Sequence, residues 1–522
     1  MTYQFHRPPL AHQLEAFERF KDQSHHALFW EPRVRKTSVE LNIFRYRHEV
    51  VGDVDALVAI AFPNGVHRVW IDEIEKEYPP EFLEKLKALP WISGKMDKGK
   101  YREDALALRD HAGPVILTMN CEAIITPKGW KYLEWFLKRR RVMLVADEAA
   151  WAAGWSARTK KLLALGTRPS VVVKSILDGT PCDEGVEDLY FPTQFLKKGL
   201  LGFSSKVAFR ARYLAYQTDD EGNRVKGFNR RTGTQFDIVT GTQNLDELNA
   251  KLMTFGSRVL RRDVSDAPEK TYQSRYFQMT EKQRKVYEKA RDSYVAELGA
   301  GSFPLTDVLL RMTRLSMIAR NYYPPERQGV ECPVCAAAGQ VEGDECARCE
   351  GLGYVVAWTK LERIDDRNPA AEALVQEAQA TRGPMVVWCS FRQDVRDAIE
   401  ALRSVGREPL QYDGSLPPAE REANYQDFRR GRGSDIVGTI LSGLSRGKDL
   451  TRAETLVYYS NVFSLRARRQ SEDRAEGLLR RTSTDVVDLI AADTRDLEVI
   501  GALRDKRALS EVILGDDPVR WI

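Results

Sequence analysis

One rhythm constrains this chain more than any other feature, and it occurs twice: short apolar runs separated by stretches with helical spacing. The first set comprises residues 56–61 (ALVAIA), 115–119 (VILTM), 142–146 (VMLVA) and 171–177 (VVVKSIL); the second comprises 385–389 (MVVWC), 456–459 (LVYY) and 486–491 (VVDLIA). Runs this short and this uniformly apolar have to be covered on both faces, and the intervening helices supply the cover. The pattern predicts an α/β protein with two parallel-sheet lobes, at 1–190 and 370–522. Between them, 191–275 reads as a helical and β-hairpin insertion, because turn signals (DDEGN, RRTGT) interrupt β-rich pieces. Residues 276–369 read as a helical linker. Helical spacing is expected at 71–89, 245–262 and 280–320.

Composition narrows the class. The 522 residues are 43% hydrophobic and 30% charged, which excludes a disordered chain. No apolar run is long enough to span a bilayer, and the start (MTYQFHRPPLAHQ) lacks a secretory pattern, so a cytoplasmic protein with no membrane partner is expected. The net charge of +4 is too small to announce a nucleic-acid binder. Its basic residues are clumped at 138–141, 429–432 and 466–469, either to meet phosphates or as solvated helix faces.

Two segments carry chemistry. Asp147 and Glu148 end an apolar run, which places them at the carboxyl edge of a parallel sheet, where ligands bind. One carboxylate can hold Mg²⁺ while the other orients an attacking water. Upstream, Lys36, Thr37 and Ser38 open a helical stretch after LFWEPRVR; a lysine there suits a triphosphate and a hydroxyl suits its Mg²⁺. Such a loop ordinarily carries glycines, but Arg33 and Arg35 stand in their places.

The order of further segments resembles the SWI/SNF-type translocases of helicase superfamily two. PPLAHQLEAF is similar to the family's adenine-reading segment, with Gln13 as the base contact. ALVAIAFPNGVHRVWIDEI resembles motif Ia, VADEAAW the DEAH box, and LDGTP motif III. In the second half, MVVWCSFRQDVRDAIEAL resembles motif IV, and YDGSLPPAEREANYQDF the block after it. SGLSRGKDLTRAETLVYY resembles motif V, with Gly447 and Asp449 in register. QSEDRAEGLLRR resembles motif VI, with Gln470, Asp473 and Arg474 in place.

The resemblance implies two RecA-like lobes with ATP and Mg²⁺ between them. Lys36, Asp147 and Glu148 would do the chemistry with Arg474 as arginine finger. Arg35, Thr37, Ser38, Gly447, Asp449 and Gln470 would join the nucleotide site. Thr118, Asn120, Ser390, Arg392, Ser415 and Ser442 become candidate contacts to a nucleic-acid strand. The expected activity is ATP-driven translocation on double-stranded DNA by a monomer of phage or bacterial origin, with replication or recombination proteins as candidate partners. The rivals are an inactive DNA- or partner-binding scaffold and a strand-separating helicase. The chain departs from the family at Arg33 and Arg35, at Ala150 (the histidine of DEAH), and at Gly477. The family's second arginine finger falls at Gly477, with Arg480 or Arg481 as substitutes.

Four of the seven cysteines form C-x₂-C-x₁₀-C-x₂-C at Cys332, Cys335, Cys346 and Cys349. Thiolates so spaced suit tetrahedral Zn²⁺, and the segment 332–353 resembles the zinc module of DnaJ chaperones. Cys121, Cys182 and Cys389 read as small buried apolar residues.

Overall fold

The computed structural model describes the chain except residues 1–2, 63–65, 97, 230–233, 267, 300–304, 324–326, 333, 337–339, 342–343, 346–353, 359–360, 446–447, 478–479 and 515–522. Its first sheet contains β1 (His25–Trp30), β2 (Ala56–Ala61), β3 (Lys87–Pro90), β4 (Val115–Asn120), β5 (Val142–Asp147), β6 (Val171–Leu177) and β7 (Gly256–Val259). These lie in the order β7-β1-β6-β5-β2-β4-β3, and every pairing is parallel.

The second sheet contains β8 (Thr271–Phe277), β9 (Met385–Cys389), β10 (Pro409–Tyr412), β11 (Asp435–Thr439), β12 (Thr455–Tyr458) and β13 (Asp485–Ala491). Its order is β8-β13-β12-β9-β11-β10, again parallel throughout. The two parallel-sheet lobes expected from the apolar rhythm are therefore present.

Side chains of each central strand alternate between two cores. On β2, Ala56, Val58 and Ile60 enter one core, while Leu57 and Ala59 enter the core on the other face. On β9, Met385, Val387 and Cys389 oppose Val386 and Trp388 in the same way. A strand buried on both faces has no reason to alternate polar with apolar, which is why these runs are uniformly apolar.

The strands that the apolar rhythm leaves out are mostly edges. β3 (KALP) and β7 (GSRV) close the first sheet, and β8 (TYQSRYF) and β10 (PLQY) close the second. Each is partly exposed, so its sequence is mixed. The helical spacing expected at 71–89 gives way after Val66–Glu77 and Pro80–Leu83 to β3. That expected at 245–262 holds for α3 (Leu245–Phe255) and then yields to β7, which returns the chain to the first sheet.

Between β6 and β7 two antiparallel ribbons form, Leu214–Tyr216 with Val239–Thr242 and Lys226–Asn229 with Thr234–Asp237. Helices Glu281–Gly299 and Leu305–Ala319 follow β8. A further ribbon pairs Arg327–Glu331 with Tyr354–Trp358 and brackets the cysteine segment. Cys332 and Cys335 are buried there, whereas Cys346 and Cys349 lie outside the described residues. Among the described residues there is no group of three or more metal-ligating side chains. Cys121, Cys182 and Cys389 are fully buried, as expected.

The last helix, α5 (Arg495–Leu514), joins the lobes. Val499, Ile500 and Leu503 pack on Ile490 and Leu465 of the second lobe, while Ile513 and Leu514 enter the first lobe's core beside Leu248 and Leu252 of α3. The Asn249 side-chain amide donates to the Ile513 carbonyl at 2.9 Å. Among the described residues, no helix is long and apolar enough to cross a membrane.

Candidate nucleotide site between the lobes

The carboxyl end of the first sheet faces, across a cleft, the second-lobe segment that packs beside the start of β12. From the first lobe, β1 runs into loop 31–35 and then α2 (Lys36–Tyr46), β5 ends at Asp147, and β6 ends just before Asp178. From the second comes α4 (Leu465–Glu472), with the turn after it carrying Asp473 and Arg474. Together they enclose a cavity of about 550 Å³ lined by Arg35, Lys36, Thr37, Ser38, Asp147 and Glu148 on one side and Gln470 and Arg474 on the other.

The loop adopts a glycine-like backbone without glycines. Arg33 and Arg35 have φ of 68° and 61°, the left-handed region that the missing glycines would have filled. Neighbours hold the loop in this form. The Gln13 side-chain amide donates to the Arg35 carbonyl at 3.3 Å, and the His12 ring meets the Val34 carbonyl at 3.1 Å. Gln13 also accepts from the Leu10 N–H at 2.8 Å, so it braces the loop from behind while Leu10 caps α1 (Ala11–Phe20).

The Lys36 ammonium folds back on its own loop, donating to the carbonyls of Trp30 at 2.6 Å and Glu31 at 3.1 Å. Burial lowers its pKa, and Asp147, Glu148 and Asp178 oppose that effect.

The carboxylates have distinct environments. Asp147 accepts from the Trp70 indole at 2.9 Å, and burial together with the neighbouring Glu148 pushes its pKa up to about 6. Glu148 sits at φ 47°, a third strained residue at this site. It accepts a hydrogen bond across the cleft from the Gln470 amide at 2.9 Å. With Ala150 in place of histidine, this bond links the carboxylate pair directly to the second lobe.

Asp178 belongs to the LDGTP segment, whose local sequence points to no particular role for it. It caps the backbone N–H groups of Ala150 (2.8 Å) and Thr180 (2.9 Å), and burial raises its pKa to about 6. Next to it, a Cβ on Gly179 would lie 2.9 Å from Pro32 and 3.0 Å from the Trp30 carbonyl, so only glycine lets this turn touch the loop. Arg258 on β7 ties the two together by donating to the Phe29 carbonyl at 2.5 Å and the Gly179 carbonyl at 3.2 Å. Nothing in the local sequence singles out Arg258, because β7 reaches the site only through sheet pairing.

The lobes also meet through ion pairs. Arg466 binds Asp188 at 2.9 Å, Arg469 binds Asp183 at 2.7 Å, and Lys506 binds Glu184 at 2.5 Å. Behind the cavity, partly buried Lys270 sits 3.0 Å from both Glu472 and Glu476. These pairs correct the reading of the clump at 466–469 as candidate phosphate contacts. Arg466 and Arg469 hold the lobes together, and Arg468 is buried on Glu472 and Asp488. In the clump at 138–141, Arg140 is buried and donates to the carbonyls of Arg109, Gly113 and Leu108. Lys138, Arg139 and Arg141 around it are exposed, as are Arg429, Arg430 and Arg432.

Other expectations resolve individually. Asp449 lies behind the cavity wall, 3.6 Å from Arg33, and Gly447 falls outside the described residues. Arg480 cannot replace a finger, because its guanidinium donates to the carbonyls of Thr451, Ala453 and Ala475 at 3.1, 2.7 and 2.8 Å. Thr118 is fully buried in β4 and out of reach of a strand. Asn120 and Ser415 are engaged in turns, with Ala123 N–H and Asp413. Ser390, Arg392 and Ser442 follow the carboxyl ends of β9 and β11, within the second lobe.

Fold and site together define an architecture: two RecA-like parallel-sheet lobes facing across a cavity with a lysine loop and paired carboxylates. Residues 369–476 match the helicase conserved C-terminal domain. The chain is 20% identical over 345 residues to an uncharacterized ATP-dependent helicase of Mycoplasma pneumoniae, covering 65% of this chain and 28% of that protein. It is 20% identical over 371 residues to TATA-binding protein-associated factor 172 of Homo sapiens, covering 66% and 19%. It thus matches less than a third of either relative's length.

Among solved structures, the Hef helicase domain of Pyrococcus furiosus aligns with a TM-score of 0.51 at 14% identity, covering 95% of this chain and 98% of that one. This likeness establishes the fold. The SWI2/SNF2 ATPase core of Sulfolobus solfataricus, solved with double-stranded DNA, aligns over 98% and 95% with a TM-score of 0.39 and 17% identity.

Proposed function

We propose that the chain is an ATP-dependent translocase on double-stranded DNA, of the SWI/SNF type, hydrolysing ATP between its two lobes. One observation carries the reading: Gln470 of the second lobe holds the Glu148 carboxylate at 2.9 Å inside a cavity that also contains Lys36, Thr37, Asp147 and Arg474. Six groups suited to a triphosphate and its hydrolysis converge there from two lobes, so chemistry at the site is tied to the lobes' relative position.

Lys36 would leave its loop carbonyls for the β- and γ-phosphates, where its charge is better compensated. Thr37 and Asp147 would hold Mg²⁺, which would supply positive charge against the developing charge of the triphosphate. Asp147 fits that task, because a buried carboxylate with a raised pKa beside a second carboxylate gains most from a cation. Glu148 would orient water and take its proton. The water oxygen bonds to the γ-phosphorus, the bond to the bridging oxygen breaks, and that electron pair leaves on ADP. Arg474 would stabilise the charge that develops. Gln13 would set the loop and, at the adenine edge, the base preference.

Binding of ATP would draw Glu148 from Gln470 toward the water, and the cycle of binding and phosphate loss would shift the lobes along a DNA backbone. The test is steady-state ATPase activity with and without duplex DNA, alongside strand displacement on a forked substrate. Stimulation by duplex without displacement is expected. Hydrolysis indifferent to DNA removes translocation, displacement makes the protein an unwinding helicase, and no Mg²⁺-dependent nucleotide binding leaves a scaffold.

We also assign Zn²⁺ to Cys332, Cys335, Cys346 and Cys349. The reading rests on the cysteine spacing and on the antiparallel ribbon that brackets the segment. Elemental analysis of purified protein should give one zinc per chain, lost in Cys332→Ser.

A further inference from the structure

Arg33 belongs to the first lobe's loop, yet its side chain reaches the second lobe. The guanidinium donates to the Arg474 carbonyl at 3.0 Å and lies 3.6 Å from the Asp449 carboxylate, which Thr451 already engages at 2.8 Å. It also lines the cleft cavity beside Lys36 and Arg474. Burial lowers its pKa, and the like charge of Arg474 lowers it further. Two guanidiniums from opposite lobes thus share a partly buried cavity, an arrangement that an anion between them would relieve.

The space that Arg33 fills is set by a glycine. A Cβ on Gly477 would lie 3.2 Å from Thr451 and 3.8 Å from the Arg33 guanidinium. A long side chain at 477 would therefore compete for the volume that Arg33 occupies. The backbone at Arg33, with φ of 68°, is what aims the side chain out of the loop and across the cleft.

We propose that Arg33 is a catalytic residue: the phosphate loop itself contributes a cation that contacts the terminal phosphoryl group together with Arg474, through space left open by Gly477. This rests on the reading of the cavity as an ATP site. Arg33 stabilises the negative charge that grows as the bond to the bridging oxygen breaks.

The experiment uses the full chain with Arg33→Gly, Arg33→Lys and the double variant Arg33→Gly/Gly477→Arg. Glycine suits the backbone at 33, so the fold should persist, and thermal melting checks it. In Arg33→Gly, kcat should fall on the order of 10³-fold. Binding of a fluorescent ATP analogue should stay within roughly threefold, the mark of a contact made in the transition state. Lysine should recover only part of the rate, because it lacks the planar fork. The double variant should recover more than tenfold over Arg33→Gly, roughly 1.4 kcal/mol or more of transition-state stabilisation.

An Arg33→Gly protein that turns over at the wild-type rate overturns this assignment alone, as does a loss seen only in binding or melting. A folded double variant no faster than Arg33→Gly overturns the shared-space argument. Wild-type protein that neither binds nor hydrolyses ATP overturns the parent reading as well.

Discussion

Replacing Arg35 by glycine should make the first lobe more stable, although it removes a charged side chain next to the chemistry. Arg35 adopts φ 61° and ψ 45° at the residue that opens α2. For a residue with a Cβ, this conformation costs roughly 1–2 kcal/mol. Glycine adopts it freely but adds about 0.4–1 kcal/mol of entropy to the unfolded chain. The side chain faces the cavity, and the backbone carbonyl that accepts from Gln13 at 3.3 Å remains in glycine. The net gain is about 0.5–1 kcal/mol, or roughly 1–4 °C in the melting of a lobe of this size.

Calorimetry should resolve that shift, and urea unfolding should give the same sign. A second readout is local. His12 has its pKa lowered by burial first and by the Arg35 charge among the lesser causes, so its titration should move upward in the variant. An Arg35→Gly protein that melts at or below the wild-type temperature would refute the strain argument and make the Arg35 side chain a net stabiliser of the loop.

Three other outcomes are expected. Glu148→Gln should lower kcat by about 10²–10⁴-fold with nucleotide binding retained, since a general base is removed while the contact with Gln470 can persist. The Mg²⁺-dependent affinity for nucleotide should weaken as pH falls through about 6, where Asp147 takes up a proton; its raised pKa means the charged form exists only above that point. Calorimetric titrations above and below that pH would show it, and an affinity flat with pH would remove Asp147 from the metal. Glu472→Gln should destabilise the protein by about 1–3 kcal/mol, because it removes a fully buried charged partner from Lys270 and Arg468, which keep Glu476 and Asp488. The pKa of Glu472 is depressed by those cations despite burial, so its contribution holds above the ordinary carboxylate range and is lost only in strong acid. Urea unfolding at neutral pH measures the difference.

The apolar rhythm was enough to place the central strands β2, β5, β6, β9 and β13, because a strand buried on both faces has to be written in apolar residues. Edge strands face solvent on one side and are written in mixed residues, so β3, β7, β8 and β10 were legible only after pairing. The site divides along the same line. Lys36, Asp147 and Glu148 announce themselves by position relative to an apolar run.

Other features could not be read from local sequence. Arg33 and Arg35 are ordinary surface-loop residues until the backbone puts both at positive φ. Arg466 and Arg469 look like phosphate ligands until Asp188 and Asp183, almost 300 positions away, are found opposite them. Which lobe Arg33 serves, and which carboxylate Gln470 grips, was decided in the folded chain. Such contacts depend on how two separately folded sheets face each other, and no local pattern of residues encodes that relation.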